Sequence, residues 1–170
     1  GQTVLNAKSQ YKKDRDPREL LFQFKKRSLV HFAVDTEEVY MTTKLSGDST
    51  FFLPFNKGFN FGAGNPIPED LNYKTAYLWE EVLSKDSLLD LIGRWLHIEI
   101  SEKKVYTEKG IFKEKKENLI FPRYHQLDCV NKLVNLSKVV GSGHNYLIQH
   151  SAGSGKSNSI AWLAYRLSSL

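Results

Sequence analysis

One string constrains this chain more than any other. His150-Ser-Ala-Gly-Ser-Gly-Lys-Ser157 stands between a short apolar run, Tyr146-Leu-Ile-Gln149, and a stretch with helical spacing through Ile160, Leu163, Ala164 and Leu167. A glycine-rich turn from strand to helix points backbone N–H groups inward without Cβ obstruction, and the helix N-terminus adds the positive end of its dipole. That arrangement holds phosphate. Ser151, Ala152, Gly153, Ser154 and Gly155 would cradle the oxygens, Lys156 would reach the β and γ phosphates of ATP, and the Ser157 hydroxyl would ligate Mg²⁺. The full pattern G-x-x-x-x-G-K-[ST] has glycine where this chain has His150, so the match is incomplete at one end. Superfamily II helicases and translocases tolerate other small or polar residues there, whereas many small nucleotide kinases resemble the full pattern more closely. A kinase is further disfavoured because no lid or acceptor motif follows. A chance Gly-Lys-Ser turn is the competing reading, and the flanking strand and helix argue against it.

Upstream, Tyr124 to Val140 carries apolar residues at Leu127, Val130, Leu133, Val134 and Val139, which predicts an amphipathic helix closed by Gly141-Ser-Gly143. Phe121-Pro-Arg-Tyr-His-Gln126 opens it. Gln126 offers the paired donor and acceptor that can read an adenine edge, although an exposed glutamine on a proline-initiated helix is an equal alternative. The remainder divides by composition. Residues 6–23 read as helix, turn, helix around Pro17. Runs 28–34 and 38–43 read as a hairpin, with a third strand at 50–53. From Pro54 to Asn72, glycines and prolines predict a long loop. Residues 78–98 return to helical spacing, with Val82, Leu83, Leu88, Leu89, Ile92 and Leu96 facing a core and Asp86 as a possible N-cap. Residues 101–117 hold six lysines and four glutamates, a composition for a solvated linker or an exposed hairpin.

The net charge of +5 favours a polyanionic partner. No apolar run approaches the roughly 20 residues of a membrane-spanning helix. The lone Cys129 cannot form an internal disulfide and fits a buried, inert thiol, so the cytoplasm is the expected compartment. No methionine precedes Met41 and the β/α pattern stops at Leu170, so the chain reads as a piece of a longer protein.

Phe121-Pro-Arg-Tyr-His-Gln-Leu-Asp128 followed by Tyr146 to Leu163 resembles the restriction (R) subunit of type I restriction-modification enzymes. So do Leu29-Val-His-Phe-Ala-Val-Asp-Thr36, Phe52-Leu-Pro-Phe-Asn-Lys-Gly58, Gly62-Ala-Gly-Asn-Pro66 and Tyr73-Lys-Thr-Ala-Tyr-Leu-Trp-Glu80. The resemblance implies an α/β chain: residues 1–100 as the C-terminal part of a PD-(D/E)xK-like nuclease domain, 101–118 as a charged linker, and 119–170 as the first β/α unit of a RecA-like P-loop motor domain. It implies that Gln126, with Arg123, contacts adenine, and that Gly153, Gly155, Lys156 and Ser157 hold ATP and Mg²⁺. The implied partners are double-stranded DNA and the methyltransferase and specificity subunits, with DNA cleavage as the activity of the full enzyme. The catalytic carboxylates of the nuclease would precede Gly1. Glu102-Lys-Lys104 and Glu114-Lys-Lys116 spell Glu-x-Lys but lack apolar flanks and read as solvated. Tyr11 falls near a supporting Gln-x-x-x-Tyr motif, but Ala7 replaces its glutamine, and a half-buried helix position is the competing reading. Asp35 and Glu37 read as turn residues rather than a metal-binding pair. Alone, this chain is expected neither to hydrolyse ATP nor to cut DNA. The alternative function is a non-catalytic basic module that binds DNA or partner subunits and carries a vestigial phosphate loop.

Overall fold

Asp35 organises the first chain reversal. Its Oδ1 accepts the N–H groups of Glu37 and Glu38, both at 2.8 Å, and so closes the turn between β1 (His31–Val34) and β2 (Val39–Thr42). The strands pair antiparallel, His31 opposite Thr42 and Val34 opposite Val39. Oδ2 of the same carboxylate accepts the Val4 N–H at 2.7 Å, at the start of α1 (Val4–Lys13). A helix leaves its first N–H groups unpaired and its dipole favours an anion there, so Asp35 ties helix to hairpin. The turn reading of this pair holds.

This computed structural model describes residues 2–69, 72–107 and 110–170. The expected third strand shifts to β3 (Leu53–Pro54), which pairs with β2 through Met41 opposite Leu53. Thr50 cannot extend because its Oγ1 donates to the Gly47 carbonyl and accepts from the Ser46 N–H, closing a turn. The expected second helix before Gln23 is a series of turns instead. Beyond β3 the loop is held by asparagines. Asn65, buried, accepts the Lys57 N–H at 2.8 Å and donates to the Glu37 carbonyl at 2.8 Å and to Asn56 Oδ1 at 3.0 Å. Asp70 and Leu71, within that loop, lie outside the described residues.

Residues 78–98 do not form one helix. A π-helical turn (Leu78–Val82), α2 (Lys85–Asp90) and a second π-helical turn (Leu91–Trp95) follow one another, and the chain then enters a strand. Each π turn closes i to i+5, Leu83 N–H to the Leu78 carbonyl and Leu96 N–H to the Leu91 carbonyl. That wider turn shifts the apolar stripe. The core therefore receives Leu78, Val82, Leu91 and Trp95, while the expected Leu83, Leu88, Leu89 and Ile92 are exposed. Ser84, not Asp86, takes the N-cap position of α2.

The lysine-rich segment is a hairpin. β4 (His97–Thr107) and β5 (Gly110–Ile120) pair antiparallel from His97 opposite Ile120 to Thr107 opposite Gly110. The two Glu-x-Lys strings lie on these strands, with Glu102 opposite Lys115 and Lys103 opposite Glu114. Glu102 is ion-paired with Lys113 on an exposed surface, in keeping with a solvated rather than metal-binding role. Glu108 and Lys109 lie outside the described residues.

α3 (Tyr124–Val140) forms as the spacing predicts, burying Leu127, Val130, Leu133 and Val134 and ending at Gly141, φ 74°, but Val139, in its last turn, is exposed. α4 (Lys156–Leu167) packs against it. Cys129 is partly buried, and burial followed by the charge of Asp128 pushes its thiol up, away from reactivity. Val39, Met41, Phe55, Tyr77, Trp95, Phe121, Val130 and Trp162 belong to one apolar cluster, which joins the three-stranded sheet, the π turns and both later helices. The chain is a mixed α/β protein with small sheets and several helices. Among the described residues no helix is long and apolar enough to cross a membrane.

Candidate nucleotide-binding site

Tyr146-Leu-Ile-Gln149 is not a strand. The run is exposed, Leu147 at 96%, and pairs with no neighbour among the described residues. A parallel strand needs flanking strands for its hydrogen bonds and cover for both faces, and among the described residues none lies beside this segment. The turn that follows it does form. Gly153 has φ 71° and Gly155 φ 81°, the left-handed region that a β-carbon penalises. Gly155 is also the N-cap of α4, with its carbonyl accepting the N–H groups of Asn158 at 3.1 Å and Ser159 at 3.3 Å. The N–H groups of Lys156 and Ser157, first in the helix, have no helical carbonyl to meet.

The Lys156 ammonium folds back over the loop, donating to the carbonyls of His150 at 3.2 Å and Ser151 at 2.9 Å. Ser157 is exposed beside it. Ser154 Oγ, Ser159 Oγ and His150 Nδ1 are buried without a hydrogen-bond partner among the described residues. Unpaired buried polar atoms are costly, and two of the three belong to the loop itself, with Ser159 one turn into α4. A triphosphate suits the loop: unpaired backbone N–H groups, a cation and a free hydroxyl. Mg²⁺ would have Ser157 as its protein ligand, with phosphate oxygens and water supplying the rest. No group of three or more acidic, histidine or cysteine side chains able to hold a metal by itself occurs among the described residues.

Gln126 reaches this loop from α3. It is 3% exposed, its Oε1 accepting the Arg123 N–H at 2.9 Å and its Nε2 donating to the Gly155 carbonyl at 2.8 Å. One N–H and one lone pair remain on the amide, the two groups a bidentate contact to adenine uses. A β-carbon on Gly155 would lie 2.6 Å from Gln126 Nε2, so any other residue here would force the Gln126 amide to move, in addition to the strain of the backbone angle. Arg123, half-buried, lines the same groove as Gln126.

His125 escaped the sequence reading. Its Nε2–H donates to the Ser154 carbonyl at 3.0 Å, and its ring stands edge-on to His150 with centroids 4.8 Å apart. Burial lowers its pKa, keeping the imidazole neutral against the loop. The available signal was its place next to Gln126 in the first turn of α3. Tyr11 is far simpler: it stacks edge-on against His31 at 5.5 Å and near Phe52 at 5.9 Å, a half-buried packing residue.

No family model, no curated protein and no solved structure matches this chain.

Proposed function

We propose that residues 151–157 bind the triphosphate of ATP with Mg²⁺, and that the chain is part of the restriction subunit of a type I restriction enzyme. In this reading residues 1–100 are the C-terminal part of a PD-(D/E)xK-like nuclease domain, and 119–170 begin a RecA-like motor domain. Double-stranded DNA is its substrate, and methyltransferase and specificity subunits are its partners. The observation that carries the reading is the Gln126 bridge. Two strings resembling the family's adenine-reading motif and phosphate loop, 29 residues apart, meet through one hydrogen bond to Gly155. Gln126 and Arg123 would orient the base, Gly153 and Gly155 would admit the phosphates to the backbone, and Lys156 would trade its two loop carbonyls for phosphate oxygens. ATP hydrolysis in the full enzyme drives DNA movement.

Binding of fluorescent ATP analogue with Mg²⁺, by the unaltered chain and by Lys156→Ala, tests the proposal. A hydrogen bond to a charged group contributes roughly 1.5–3 kcal/mol, so the variant should bind about ten- to a hundredfold more weakly. Equal affinity in both proteins, at matched circular dichroism, overturns the reading and leaves the non-catalytic basic module.

A further inference from the structure

Between β2 and the base of the β4–β5 hairpin runs an open groove of about 460 Å³ that ends at Gly155. Its floor is apolar, from Met41, Leu53 and Phe121. Its walls carry Lys44, Lys116 and Arg123, with the amides of Asn118 and Asn158 between them. No carboxylate lines it among the described residues. None of the three cations makes an ion pair among the described residues, and the Lys44 ammonium also lies over the Phe24 ring, 5.2 Å from its centroid. Three cations and no carboxylate along one apolar-floored groove make it a favourable place for an anion. Phe51 stands at its lip, 75% exposed, a costly placement for a phenyl ring in water.

We infer that this groove binds a single strand of nucleic acid, its phosphates on Lys44, Lys116 and Arg123 and a base stacked on Phe51. A positive track with an aromatic platform is how a strand is held without sequence preference. A duplex keeps its base faces stacked and cannot offer one to Phe51, and an acidic peptide has no flat face for it. The inference does not rest on ATP binding, though Arg123, Gln126 and Gly155 are common to both sites, so the strand and the nucleotide would compete for Arg123.

The test is fluorescence anisotropy of labelled dT12 with the full chain, beside a duplex of equal length. Lys44→Glu and Lys116→Glu should each weaken dT12 binding tenfold or more, while Lys138→Glu, the same charge reversal on α3 away from the groove, changes it less than twofold. Phe51→Ala should weaken it about tenfold with the salt slope unchanged. An equal loss in Lys138→Glu, an unaffected Phe51→Ala, tighter binding of the duplex, or displacement of dT12 by polyglutamate at equal charge each overturns the inference. Affinity for the ATP analogue, measured on the same variants, separates the two readings. If Lys44→Glu loses the analogue and dT12 does not bind, the groove holds the nucleotide's base instead and the inference fails. Retained nucleotide binding with lost dT12 binding supports it.

Discussion

At Gly155 one atom decides two things. Its φ of 81° costs a β-carbon about 1–2 kcal/mol, and the same carbon would collide with Gln126 Nε2. Gly155→Ala should therefore lower stability by more than the backbone term alone. Adding Gln126→Ala relieves the collision, so the double variant should be less destabilised than the sum of the singles, whose pair is in direct contact. Urea denaturation of the four proteins measures this, and strict additivity would count against the contact. The sequence exposes half of this arrangement. A glycine before Gly-Lys-Ser is legible as phosphate-loop chemistry, but its second constraint arises from α3, 29 residues away, and no local pattern carries it.

Among the elements, α4 is fastened at a point the sequence conceals. Trp162 Nε1 donates to the Trp95 carbonyl at 2.9 Å, and the two indoles lie 5.3 Å apart. Asp90 accepts from Trp95 Nε1 at 2.8 Å and from Arg166 at 2.6 Å. Trp162→Ala should cost about 3–5 kcal/mol, as for other buried aromatics. Asp90→Ala leaves Arg166, 12% exposed, without its anion and should cost about 1–3 kcal/mol, less than for a fully buried pair. Both are measured by chemical denaturation, and a loss below about 0.5 kcal/mol in either would mean α4 is held elsewhere. The β4–β5 hairpin behaves oppositely. Its base reaches the core through Leu119, while Ile111 and Phe112 are exposed. Replacing residues 103–114 by Asn-Gly joins Glu102 to its partner Lys115 through a two-residue turn. Stability should change by less than about 1 kcal/mol. Of the two readings the composition allows, linker or exposed hairpin, the hairpin forms, with Glu102 opposite Lys115 and Lys103 opposite Glu114; charge alone does not distinguish a solvated strand from a solvated coil.

Across the whole molecule, what was legible depended on range. α3 and the β1–β2 hairpin follow from local periodicity and an Asp-centred turn, and both stand as read. Over 78–98 Val82 is buried and Leu96 packs on the core as expected, but two π turns reset the phase and expose Leu83, Leu88, Leu89 and Ile92; Tyr146–Gln149 failed because a strand is a property of neighbours it lacks among the described residues. Long-range packing also sets the response to pH. Burial holds the imidazoles of His31, on β1, and His125, on α3, below the usual value near 6.5. Between that value and their lower folded values the unfolded chain binds more protons, so their contribution is complete above about pH 6.5 and declines as pH falls below it. Burial pushes the carboxyls of Asp35 and Asp90 up, but it is outweighed. Backbone N–H groups of Glu38, Val4 and Glu37 hold Asp35 low, and Trp95 and Arg166 hold Asp90 low. Their contribution is present above the ordinary carboxylate value of about 4 and is lost only as pH falls through their depressed folded values. Stability should therefore fall in two separated stages, a histidine stage below pH 6.5 and a carboxylate stage below about pH 4. Urea midpoints at pH 7.5, 5.5 and 3.5 resolve them. In His31→Gln/His125→Gln the first stage should flatten while the second persists, and a first stage of unchanged slope would assign it to other groups.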